Sequence, residues 1–172
     1  TAGTSFIVTV NAVDANWNVA SSIHTVGFNT TDPNDVLPAN AALVAGTRTF
    51  TITNKTAGIW TATATDTTTP LLTANTSPSY TVNPGVFTKL QLLVPGETNS
   101  QGSTTGKTGT PTAETAGTAF NVTVNAVDAN WNLVNTASDI VGITSSDGNA
   151  SLPANAALSG GTQTFNLTLN TA

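Results

Sequence analysis

The sequence predicts an all-β chain of tandem β-sandwiches, on three observations: a long internal repeat, apolar residues recurring with period two, and turn residues punctuating short runs. Residues 1–18 read TAGTSFIVTVNAVDANWN and residues 115–132 read TAGTAFNVTVNAVDANWN, with 16 of 18 positions identical at an offset of 114. After a one-residue insertion the match resumes between residues 26–57 and 141–172, at an offset of 115. Within it the block LPANAAL, residues 37–43 and 152–158, is unchanged. The chain is therefore about one and a half copies of a unit of about 114 residues.

Strand assignments follow from alternation. Phe6, Val8, Val10 and Ala12 share one face, with Thr9 and Asn11 opposite. The second copy keeps Phe120, Val122, Val124 and Ala126 but replaces Ile7 by Asn121, which marks the opposite face as the solvated one. Residues 47–54 place Phe50 and Ile52 inward against a row of Thr47, Thr49, Thr51 and Thr53; Phe165, Leu167 and Leu169 are the inward set of the second copy. Trp60, Ala62 and Ala64 form another inward set against Thr61, Thr63 and Thr65, with Trp60 expected in the core. Residues 80–82 and 86–94 complete the strands; in the latter Leu90, Leu92 and Val94 face inward and Lys89 faces solvent. No segment carries a helical face.

Asn83-Pro84-Gly85 joins two strands through about three residues, a stiff joint that places a module boundary there. Residues 1–83 then form a module without its first strand, the counterpart of 86–94. Residues 84–172 form a module without its last strands, with a long Gly/Thr/Ser loop at 95–118. A chain that begins with Thr1 and contains no Met is expected to be a processed product or an excerpt.

The TAGT-F-VTV-AVDAN-N pattern, LPANAAL, GT-TF-T and TAG-W-ATATD resemble the bacterial immunoglobulin-like tandem repeats of large surface and secreted proteins. That resemblance implies an immunoglobulin-like sandwich and a spacer, stalk, fibre or adhesin role. It also implies neighbouring repeats of the same chain, or other copies of it, as partners. Trp17 and Trp131 stand where such repeats carry Gly, so a departure from the usual turn geometry is expected there.

Composition excludes several chemistries. With no Cys, disulfide frameworks and thiol sites are out. A net charge of -5 opposes nucleic-acid binding, and no apolar run approaches the ~18 residues of a membrane span. His24, the single His, aligns with Ser138 and lies outside the repeated design, so a Ser-His-Asp site would hang on it alone. Asp14, Asp32 and Asp66 have no spacing that pairs them. Gly106-Lys107-Thr108 lacks the upstream Gly and the following helix of a phosphate loop. Lys89 among apolar residues raises a Lys–Asn crosslink, which its outward position opposes.

Three candidate sites remain. Asp14, Asn16 and Asn18, repeated as Asp128, Asn130 and Asn132, alternate oxygen-bearing side chains as at the start of a Ca2+ loop, without its Gly and distal Glu; the alternative is a turn bonded to its own backbone. Trp17 and Trp131 offer a ring to a surface glycan or to a neighbouring module. Sequons at Asn29, Asn54, Asn75, Asn121, Asn149 and Asn166 are glycosylation candidates, and the Thr rows are strand formers that also suit hydroxyl-linked sugars or ice binding. The expected function is a structural repeat segment of a long extracellular or cell-surface bacterial protein, a stalk or fibre, with no catalysis and no cofactor beyond the candidate Ca2+. A glycan- or cell-surface-binding module and an accessory domain of a secreted hydrolase are the alternatives.

Overall fold

The computed structural model describes all 172 residues, and every regular element in it is a strand. The chain divides into two compact units, Thr1–Asn83 and Pro84–Ala172. Each is an antiparallel β-sandwich built from the alternating runs of the sequence.

In the first unit, β1 (Phe6–Asn11) pairs with β4 (Thr47–Ile52), Phe6 opposite Ile52 and Asn11 opposite Thr47. The facing sheet has the order β3 (Ala41–Ala42), β2 (Thr25–Thr30), β6 (Ala62–Asp66), β7 (Asn75–Thr76). A third pair joins β5 (Gly58–Trp60) to β8 (Tyr80–Val82). Ala12, Val26, Leu43 and Phe50 form the core between the two larger sheets, with Val10, Phe28 and Ala64 packed on it. Phe28 and Phe50 meet at 5.1 Å between ring centroids with their planes tilted by 51°, a contact that fills the space between sheets. Trp60 departs from its expected core position. It is half-buried, lies over Gly58, and donates its indole N–H to the Thr56 carbonyl at 2.8 Å.

In the second unit, β12 (Ala119–Val127) is the centre of a three-stranded sheet, between β15 (Thr162–Thr168) and β9 (Lys89–Leu93). The ribbon of β13 (Ile140–Val141) and β14 (Ala156–Ala157) closes the other side. Val122, Val124, Ala126, Phe165 and Leu167 pack against Val141 and Leu158, with Phe87 and Val94 at the margin. The stretch 95–118, expected as a long loop, is partly ordered into strands. It contains a hairpin, β10 (Glu97–Asn99) and β11 (Lys107–Gly109), clamped by a Lys107–Glu97 ion pair at 2.8 Å. That contact, ahead of the Val94 amide, holds the Glu97 carboxyl below its usual range.

The repeated residues fix the same backbone twice. Asp32 accepts from the amides of Asn34, Lys55 and Thr56, and Asp147 accepts from those of Asn149, Asn170 and Thr171, all at 2.7–3.0 Å. A Cβ on Gly46 would stand 2.0 Å from the Ala20 carbonyl oxygen, and one on Gly161 would stand 2.3 Å from that of Val134. The Asn of LPANAAL lies against a glycine in both units, Asn40 on Gly27 and Asn155 on Gly142. The connections entering β4 and β15 are two-residue turns with both central residues at positive φ: Ala45-Gly46 at 49° and 85°, Gly160-Gly161 at 59° and 76°. Such turns match the twist of the flanking strands.

Candidate functional site: one turn in two surroundings

The Asp-Ala-Asn-Trp-Asn turn leaves β1 in the first unit and β12 in the second, and its internal geometry is the same in both. The first carboxylate oxygen of Asp14 accepts from the amides of Asn16 (2.8 Å) and Asn18 (2.9 Å). Asp128 does the same for Asn130 (2.8 Å) and Asn132 (2.9 Å). The side-chain NH2 groups of Asn18 and Asn132 also donate to their aspartates. The Asn18 side-chain bond, then the backbone amides, hold the Asp14 carboxyl below its ordinary pKa. Trp17 and Trp131 each adopt φ 65°. The indole thus occupies the left-handed position that glycine would take, and the turn keeps its geometry at the cost of a strained residue.

These bonds also answer the Ca2+ expectation. The aspartate oxygens are surrounded by N–H donors, and Asn18 and Asn132 present nitrogen, so no cluster of oxygens converges at either turn. Three or more acidic or imidazole ligands are gathered nowhere in the chain. At both turns the aspartate oxygens are already engaged by N–H donors, which a cation would have to displace.

What differs between the units is the cover. In the second unit, β9 pairs with β12 from Lys89 opposite Val127 to Leu93 opposite Thr123. The hairpin then folds over the outer face of that sheet. Gln91 accepts from the Asn125 side chain at 3.0 Å and donates to the Gly106 carbonyl at 2.7 Å. The Gly102 amide reaches the Asn130 carbonyl at 2.8 Å, and the Gly85 amide reaches Asp128 at 2.7 Å. Lys89 places its Nζ 3.4 Å from the centroid of the Trp131 ring and donates to the Ala129 carbonyl. Gly106 lies directly on the same indole, where a Cβ would come within 2.1 Å of Cδ2. The face expected to be solvated at Lys89 is a covered face, and Lys89 is engaged with Trp131. A hairpin of Gly, Ser and Thr covers it because the residues beneath are polar and find their partners in its backbone.

The first unit bears the same residues without that cover. Asp14 and Asn18 are exposed, whereas Asp128 and Asn132 are at 1% and 0% exposure. Val13 is 39% exposed and its counterpart Val127 is 0%. Trp17 is 74% exposed. β1 has β4 on one side only, and beside its other edge lies a groove of about 660 Å³ lined by Val10, Phe28, Leu43 and Ala64 among others.

His24 does meet Asp66, with Nδ1 to Oδ2 at 2.7 Å. Burial opposes ionisation of Asp66, but the amides of Leu72 and Thr68 together with His24 outweigh it and hold the carboxyl at about 2. The pair ties the residue before β2 to the end of β6. Asp14, Asp32 and Asp66 each hold separate backbone amides. Asn54 is buried at 1% exposure and bonded to the Tyr80 hydroxyl and Thr30, which removes it as an attachment position. Asn29, Asn75, Asn121, Asn149 and Asn166 are exposed. Gly85, Gln91, Gly106 and Asn125 were not legible as site residues; the one available signal was the recurrence of Asn125 as Asn11.

No family model and no curated protein matches the chain. Among solved structures it is similar to the D0-D1 domain of Intimin, at 19% identity and a TM-score of 0.38, over 98% of this chain and 77% of that one. It is also similar to domains 5-6 of the S-layer protein SbsC, at 20% identity and a TM-score of 0.37, with the same coverage.

Proposed function

We propose that this chain is a structural segment of a tandem immunoglobulin-like array in a bacterial extracellular surface protein, a stalk or fibre that performs no turnover chemistry. The observation that carries the reading is where the repeated residues go. Asp14/Asp128, Asp32/Asp147 and Gly46/Gly161 all serve the backbone of their own unit, Asn40/Asn155 lie against Gly27/Gly142 of theirs, and none converges on a shared open site. A sequence repeated for a ligand would repeat a presented surface; here a scaffold is repeated. A glycan-binding reading would rest on Trp17, whose twin Trp131 is covered within its own unit.

Antibodies raised against the chain test the proposal on intact source cells by immunogold electron microscopy. Label on beaded projections outside the envelope is the expected result. Label confined to the cell interior would overturn it.

A further inference from the structure

We propose that the free edge of β1 and the face beyond it are a docking site for a further copy of the repeat's own strand-and-hairpin, the element formed here by residues 84–110. The inference deepens the array reading and rests on it only in requiring that such copies exist.

The second unit displays the seated form. There an almost identical sequence, β12 and its turn, holds that element through four features: the β9 ladder from Val127 to Thr123, the Gly85 amide on Asp128, the Gln91–Asn125 bond, and the indole of Trp131 between Lys89 and Gly106. The first unit carries every acceptor half of this arrangement: the edge from Thr9 to Val13, Asp14, Asn11 and Trp17. All of these residues but Val10 and Ala12 are exposed, and Trp17 retains the strained left-handed backbone that positions its ring. Strain of about 1–2 kcal/mol at a non-glycine residue persists where surrounding structure holds it. In the second unit that structure includes the hairpin.

Shape agrees with chemistry. Leu90 and Leu92 lie opposite Ala126 and Val124, so they point to the sandwich side of the sheet, yet they are 49% and 46% exposed. Nothing equivalent to β6 and β7 faces them in the second unit. The first unit has both strands and no β9; its groove of about 660 Å³ runs from Val10 and Ala12 to Ala64 and Asn75. A strand like β9 placed on β1 in the observed register sends its two leucines into that groove and its Gln toward Asn11. Half-exposed apolar residues on one element and an open apolar groove on the other are two parts of one closed module.

The test is a chain extended by a second copy of residues 84–114 fused ahead of Thr1. Glu114 runs directly into Thr115, the counterpart of Thr1, so the junction is one the repeat already uses. Amide exchange at residues 9–13 and the NMR signal of the Trp17 indole are read in the original and extended chains. The expected result is exchange slowed by at least about tenfold at the newly paired amides, with the Trp17 ring shifted by its new neighbours. Gly106→Val in the added copy alone should reverse both changes, since a side chain there meets the indole, and the rest of the protein is untouched. Unchanged exchange at residues 9–13 in the extended chain overturns the inference. So does protection that survives Gly106→Val with no shift at Trp17. Neither result bears on where the protein resides, which the immunogold experiment decides separately.

Discussion

Lys89 holds its ammonium 3.4 Å from the centre of the Trp131 indole, while Gly106 closes the site by lying on the same ring. The identical turn in the first unit leaves Trp17 in solvent. One motif therefore has two energetic values in a single chain. Trp131→Ala removes a half-buried ring and a cation–π contact and should destabilise the second unit by about 2 kcal/mol, below the ~3–5 of a fully buried Trp. Trp17→Ala should change the first unit by no more than about 0.5 kcal/mol. Guanidinium unfolding followed by residue-resolved amide exchange measures both.

Acid should loosen both units. Asp66 and Asp147 are each held at about 2: Asp66 by the amides and His24 that outweigh its burial, Asp147 by the Thr171 and Asn149 amides first. Asp32 is also depressed, its burial outweighed by bonds from Thr56 and Asn34. Folded-state values below the unfolded value of about 3.9 mean that these carboxylates stabilise fully above pH ~4–5 and lose that contribution as pH falls toward 2. The melting temperature should decline across that window, and Asp147→Asn should flatten the decline in the second unit. A melting curve independent of pH between 5 and 2 would contradict this assignment.

Ala45 adopts φ 49° where the second unit has Gly160. Left-handed backbone costs an L-residue about 1–2 kcal/mol, and glycine's greater unfolded freedom returns about 0.5–1 of it. Ala45→Gly should therefore stabilise the first unit by up to about 1 kcal/mol. Gly46→Ala, one residue on, should do the opposite, because its methyl meets the Ala20 carbonyl. Chemical denaturation of the two variants gives the sign directly.

Chelator and Ca2+ should both leave the melting temperature unchanged. The oxygens of Asp128 already accept from Gly85, Asn130 and Asn132, and a cation would have to displace these donors. A rise on adding millimolar Ca2+ would show that the turn can reorganise around it.

The sandwich was legible because burial imposes a period of two, and the change of Ile7 to Asn121 identified the outer face of β1 and β12. Leu90 and Leu92 were assigned to the correct side of their strand. Their exposure follows from the strands that the second unit lacks opposite them, the same strands the repeat alignment marks as missing. The hairpin of β10 and β11 was hidden: it covers Gln91 and Asn125 through backbone carbonyls and amides, which leave no apolar pattern in sequence. Trp17 and Trp131 broke the rule that positive φ belongs to glycine, and only the backbone reveals that they obey its geometry.

The buried carboxylate of Asp128 grips the amide of Gly85, immediately after the Pro84 that leads into the second unit. A pull applied to the chain at Asn83 meets this single charged anchor before it reaches any rung of the β9 ladder. Gly85 is thereby tied to the turn that follows β12, the central strand of its sheet, ahead of the first rung of the β9 ladder. In the first unit Asp14 offers the same anchor to whatever strand arrives there.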